Sequence, residues 1–205
     1  MSAKTEILRN IREALGATKE APVPQREYRQ TLALSTEARI ELFTDRLRDY
    51  NATVYRAASI PDTIARALTN RGKTSLIIPP GLPPEWLPAG FRFLPDTGLD
   101  YNTIDASEGA LTACTAAIAL TGTIILSHAA HEGRRALSLI PDYHLCLVRA
   151  EQIVDSVPEG IRALAPHRTR PITTISGPSA TADIEMIRVK GVHGPRTLDV
   201  MILGA

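Results

Sequence analysis

Cysteine is nearly absent. Cys114 and Cys146 are the only two in 205 residues. Two are too few for a disulfide framework, an iron–sulfur cluster or a tetrahedral zinc site within one chain. Both stand in apolar stretches, LTACTAA and YHLCLVRA, where buried reduced thiols are the plain reading. Aromatic residues are scarce too, at 4%, so a core must come mainly from Ile, Leu, Val and Ala. No sign of charge dominates: 23 Lys+Arg stand against 22 Asp+Glu, a net charge of +1. That leaves no basic excess to neutralise phosphates, which argues against general nucleic-acid binding. No apolar run reaches the roughly 18 residues of a membrane span. Glu6 and Glu13 stand where a signal peptide would need its apolar core. A cytoplasmic, reducing location is the expectation.

What is present is ordinary for a globular chain: 44% hydrophobic and 22% charged residues. The length suits one domain, or one domain plus an arm, and buries about 70% of the unfolded surface. The spacing of Ile7, Leu8, Ile11, Ala14 and Leu15 predicts a one-sided helix over 2–15. Pro22 and Pro24 then mark an extended linker. Residues 1–35 therefore read as a helical arm and linker, and 36–205 as the main domain. The arm either packs on its own domain or docks on a second subunit or partner.

Beyond residue 36, helical and strand patterns alternate. Helices are predicted over 36–50, 60–71, 150–154, 159–165 and 181–188. Strands are predicted over 52–57, 74–79, 91–94, 123–127, 143–149, 172–176 and 198–203. The small residues of 110–119 leave that stretch open between strand and helix. Short apolar β-branched runs are typical of strands covered on both faces, and strands separated by helices imply crossovers and a mostly parallel sheet. The fold class expected is α/β, a three-layer sandwich.

Ligands in open α/β sheets bind beyond the carboxyl ends of the strands, and three stretches gather Gly, Ser, Thr and His at strand ends. The first is Thr121-Gly122-Thr123, where glycine permits close backbone approach and the threonines supply hydroxyls; a tight turn or bulge is the alternative. His128 and His131 follow at i, i+3. They are either loop histidines in solvent or two metal ligands wanting a third, such as Glu132 or His144. Arg134 and Arg135 either hold a carboxylate or phosphate group or are simply solvated.

The second stretch is SGPSATADIE, carrying Ser176, Gly177, Ser179, Thr181, Asp183 and Glu185. Ser179 is placed as the N-cap of a predicted helix whose free N–H groups would favour an anion. Asp183 and Glu185 then serve either the helix dipole or a ligand. The third stretch is Lys190-Gly191-Val192-His193-Gly194-Pro195-Arg196. Glycines on both sides of His193 leave its imidazole free to act as acid or base near neutral pH, or merely as a hydrogen-bonded loop residue. Lys190 and Arg196 are candidates to steer an anion.

SGPSATADIE followed by VKGVHGPRTLDVMIL, together with Thr121-Gly122-Thr123 and Ser138-x-x-Pro141 in the same order, resembles the lactate utilization (LUD) domain family. The resemblance spans roughly residues 51–203, and an N-terminal helical arm is also typical of that family. It implies a NagB/RpiA/CoA-transferase-like α/β sandwich. It implies a role in oxidising L-lactate to pyruvate beside two partner proteins, at least one carrying iron–sulfur clusters. With two cysteines, this chain would carry none of those clusters. On that reading His193 and Asp183 are the catalytic pair. Thr121, Gly122, Thr123, Ser176, Gly177, Ser179, Thr181, Glu185, Gly191 and Gly194 surround a small carboxylate, and no resident metal is expected. Many members of that family carry an acidic residue just before the TGT motif. Leu120 stands there instead, with Glu108 a candidate substitute.

Two other functions compete. One is a standalone enzyme of CoA-transferase or sugar-phosphate-isomerase type, which the lack of a convincing nucleophilic Glu disfavours. The other is a non-catalytic scaffold docked through its arm. Whether the chain itself turns over substrate, and whether it self-associates, stays open.

Overall fold

A computed structural model of the chain describes residues 3–16, 27–182, 188–190 and 193–204, with the backbone alone at 181–182 and 188–190. Helix α1 (Ala3–Leu15) buries none of its residues, so Ile7, Leu8, Ile11 and Leu15 stay exposed. Residues 30–34 then lie along the body. There the buried carboxylate of Asp155 accepts from the Leu34 N–H (2.9 Å) and from Arg39 Nε (2.6 Å). Burial pushes this carboxyl up, but those bonds prevail and hold it below its ordinary value.

Helix α2 (Thr36–Asp49) starts where the Ser35 hydroxyl accepts from the Ala38 N–H, satisfying a first-turn donor. Strand β1 (Thr53–Ala57) leads to α3 (Ile60–Arg71), which has Pro61 in its first turn and ends on left-handed Gly72 at φ +62°. Next come β2 (Ser75–Ile78), β3 (Arg92–Pro95), the short α4 (Tyr101–Asp105), β4 (Ala110–Ala113), β5 (Ala116–Ile118) and β6 (Thr123–Leu126). The chain continues through β7 (Tyr143–Arg149), β8 (Ile153–Val154), α5 (Val157–Ala163), β9 (Thr173–Ile175), β10 (Ala180–Ala182), β11 (Arg188–Lys190) and β12 (Thr197–Leu203).

Six strands form a sheet in the order β1-β12-β7-β4-β2-β3, with every neighbouring pair parallel. Period-two alternation divides its side chains between two faces. Leu111, Leu145, Leu147 and Met201 pack with Ile64, Ala67 and Leu68 of α3. Cys146, Val148, Val200 and Ile202 face the other way, against Ile40, Phe43 and Leu47 of α2 and against Ile124 and Leu126. The last two belong to a second, four-stranded sheet, β8-β5-β6-β9. The result is the three-layer α/β arrangement expected. On the α3 face, Asp199 is fully buried yet answered by Arg71 (2.6 and 3.0 Å) and the Tyr143 hydroxyl (3.1 Å).

Three stretches depart from the sequence reading. The ambiguous run 110–119 is two strands, β4 and β5, belonging to different sheets. The predicted helical piece 150–154 ends as strand β8, Ile153–Val154. The two ends of the predicted helix 181–188 are strand instead: 180–182 pair antiparallel with 188–190, and 183–187 lie outside the described residues. ATADIEMIRVK carries apolar residues at both helical and alternating spacing, and periodicity alone does not separate the two. Asp183 and Glu185 fall between the paired strands, outside the described residues, as does Gly191.

Candidate functional site

The SGPS and GxHGP loops meet. The Ser179 N–H donates to the Pro195 carbonyl at 2.8 Å, and the Ser179 hydroxyl accepts from the His193 N–H at 3.2 Å. Between them opens a cleft of about 310 Å³, lined among others by Arg135, Ser138, His144, Ser176, Gly177 and His193. Two consequences correct the sequence reading. Ser179 caps no helix, and its N–H is already engaged, so it is not available to hold a carboxylate. In the six-stranded sheet the cleft lies at the end opposite to the one expected, since His144 is the second residue of β7 and Leu198 the second of β12, while Ser176 and Gly177 do follow the carboxyl end of β9 in the four-stranded sheet.

Thr121 and Thr123 are tied to the cleft indirectly. Their hydroxyls lie 2.7 Å apart, and Thr123 Oγ1 is 2.9 Å from Ser176 Oγ. This is a hydroxyl relay behind Ser176, not part of the lining. Gly122, at φ +62°, meets α2: a Cβ there would sit 2.7 Å from the Arg46 Cβ. Gly177, at φ +94°, meets Tyr50 in the same way. Gly194, at φ +148°, and Ser179 complete the loop contact.

The remaining candidates divide clearly. Both nitrogens of His128 are engaged, with the Gly133 carbonyl at 2.8 Å and the Thr173 hydroxyl at 2.9 Å, so it is neither solvated nor open to a metal. No three His, Cys, Asp or Glu side chains converge as a metal-binding group among the described residues. Arg134 is bound to Asp96 through two bonds of 2.8 and 3.0 Å, whereas its neighbour Arg135 lines the cleft and, among the described residues, hydrogen-bonds only Ser138 (3.0 Å to Oγ). Glu108 is occupied by the Thr74 N–H (2.7 Å) and hydroxyl (2.8 Å), which hold its pKa below the ordinary value. It caps the start of β2, so its carboxylate is already engaged there. Arg196 pairs loosely with Asp142 at 3.4 Å, both exposed.

The family pattern of the LUD domain matches residues 101–203. The chain is 45% identical to Lactate utilization protein C of Deinococcus radiodurans, over 98% of this chain and 96% of that one. The chain belongs to the LUD domain family. An uncharacterized Escherichia coli K12 protein, YkgG, is 29% identical over 95% of each chain. Among solved structures, a DUF162 family protein from Deinococcus radiodurans superposes with a TM-score of 0.73 at 44% identity, covering 83% of this chain and 99% of its own.

Within this LUD domain, the sequence reading did not assign His144 to the cleft. Its Nε2 lies 2.8 Å from the Thr112 hydroxyl on the neighbouring strand, and its buried Nδ1 meets no partner among the described residues. Burial alone pushes its pKa down to about 4, so the ring is neutral at pH 7. An unanswered buried polar atom costs about 1–3 kcal/mol, and His144 is among the residues that line the cleft. The available signal was a single polar residue opening an otherwise apolar strand, YHLCLVR.

Proposed function

We propose that this chain is a lactate-utilization subunit that binds a small 2-hydroxy or 2-keto acid in the amino-end cleft. It works beside iron–sulfur partner proteins in the oxidation of L-lactate to pyruvate. The supporting observation is the cleft's inventory: one guanidinium with no carboxylate partner among the described residues, Arg135, beside a neutral buried imidazole and a loop-borne one. The near full-length likeness to a protein named Lactate utilization protein C points the same way.

Arg135 pairs with the carboxylate through its planar fork. His144 meets the C2 oxygen through Nδ1, and His193 takes the hydroxyl proton as general base. Asp183, outside the described residues, is assigned the assisting role by its motif alone. The C2–H bond breaks as the C=O bond forms, so besides the proton taken by His193 the reaction gives up a second proton and two electrons, which the redox groups of the partner proteins would accept. Both cysteines here are buried and too few for a cluster, so the electrons leave for clusters in the partners.

Calorimetric titration of the full chain with L-lactate and with pyruvate tests this reading. The expected result is saturable binding of at least one, weakened tenfold or more by Arg135→Gln. Absence of binding to both, with unimpaired growth on L-lactate of cells carrying only the Arg135→Gln chain, would overturn it.

A further inference from the structure

The parallel sheet changes its direction of winding beside β2. The chain lays β3 outside β2, then returns to the other side for β4, β7 and β12. Loops leaving the carboxyl ends at such a point diverge and open a crevice. A second cavity, of about 170 Å³, lies there. Ala113, Arg149 and Leu203, the last residues of β4, β7 and β12, line it with Trp86 and His131.

Its chemistry is built. The Arg149 guanidinium lies 5.5 Å from the centroid of Trp86, which steadies the fork by cation–π attraction and leaves its N–H edge free to donate. Glu151, its nearest carboxylate, is 3.8 Å away and three-quarters exposed, a pairing that water screens. The Nε2 of His131 lies 3.6 Å from the carboxylate of Glu132. Glu132 is buried and fixed by the N–H groups of Ser127 (2.6 Å) and Ala129 (3.2 Å) and by the Thr115 hydroxyl. The walls are also set in advance. Gln152 donates to the Cys114 carbonyl (2.8 Å) and accepts from the Arg149 N–H (2.9 Å). Gly81 lies so close to Ala130 that a Cβ would fall 2.7 Å from its carbonyl carbon.

We propose that this cavity is a second binding site, for a small carboxylate or phosphate anion, held by Arg149 and His131 with Trp86 as its flat wall. A cavity of about 170 Å³ suits a small anion. The site shares no residue with the amino-end cleft, so it stands whatever that cleft binds.

Trp86 is the sole tryptophan of the chain, so its fluorescence and its single indole N–H resonance report on this cavity. The full chain is titrated with inorganic phosphate, acetate and pyruvate at fixed ionic strength, with chloride as control. A saturable response to phosphate alone assigns a phosphate site, and one to acetate or pyruvate a carboxylate site. The expected half-saturation rises at least tenfold, about 1.4 kcal/mol, in Arg149→Gln and in His131→Asn. It is unchanged in Arg135→Gln. His131→Asn carries the test by itself if Arg149→Gln fails to fold. No saturable response to any of these anions up to about 50 mM, where binding would be weaker than any useful affinity, overturns the proposal. So does a response that survives the variants, or one that Arg135→Gln abolishes.

Discussion

The two ends of strand β7 carry different chemistry from one seven-residue run. His144, the second residue, and Arg149, the last, stand about 17 Å apart along the strand. They also fall on opposite faces, because their numbers differ by an odd step. At the amino end, burial strips the imidazole of charge and leaves it a directed hydrogen-bonding group. At the carboxyl end, a half-exposed guanidinium keeps its charge and is steadied by an indole. The amino-end cleft is framed largely by two loops stitched through Ser179, whereas the carboxyl-end cavity is framed by strand ends and a glutamine bridge. Depth of burial, more than residue type, sets what each end offers a ligand.

The sharpest break in this comparison is His193→Ala. If the amino end does the chemistry, lactate oxidation by the reconstituted system falls about 10²–10⁴-fold, while the Trp86 response to anions persists. Steady-state rates and a parallel fluorescence titration measure both. Arg71→Met attacks the framework between the ends. It leaves the buried Asp199 carboxylate uncompensated, at a cost of about 3–5 kcal/mol, read as a lower urea midpoint.

His144 supplies a pH test. Its folded pKa of about 4 lies below the ordinary 6.5, so the unfolded chain binds its proton first. The stabilisation is complete above pH 6.5 and is lost as pH falls from there to about 4. The loss amounts to about 3 kcal/mol. Comparing urea midpoints of the wild type and His144→Asn at pH 7 and pH 4.5 isolates it, since the variant lacks this component. The smallest expected effect is Arg135→Gln, tenfold or somewhat more in ligand affinity with melting unchanged, seen by calorimetry.

The layered architecture was legible because its strands are short apolar runs and helical patterns separate them along the chain. The meeting of SGPS with GxHGP was legible from their Gly-Pro bends. Three things were not. The hairpin at 180–190 was hidden by a run whose apolar spacing fits either period, and only its pairing across the bend decides. The end of the sheet was misjudged because the loops belong to different sheets: GxHGP precedes β12 and so lies at an amino end, whereas SGPS follows β9 of the four-stranded sheet, and no local pattern says which strands share a sheet. His144 looked like one more strand residue because its significance is a missing partner, and sequence displays residues but not their unmet bonds.

Glycines 122 and 177 take their meaning from the last turn of α2, which rests on both bare Cα positions. In a systematic substitution survey each would score as indispensable, and the temptation would be to credit a ligand. The geometry instead makes them the imprint of a helix: a lineage that filled either notch would have to tilt α2 away, and the hydroxyl chain from Thr121 to Ser176 would shift with it.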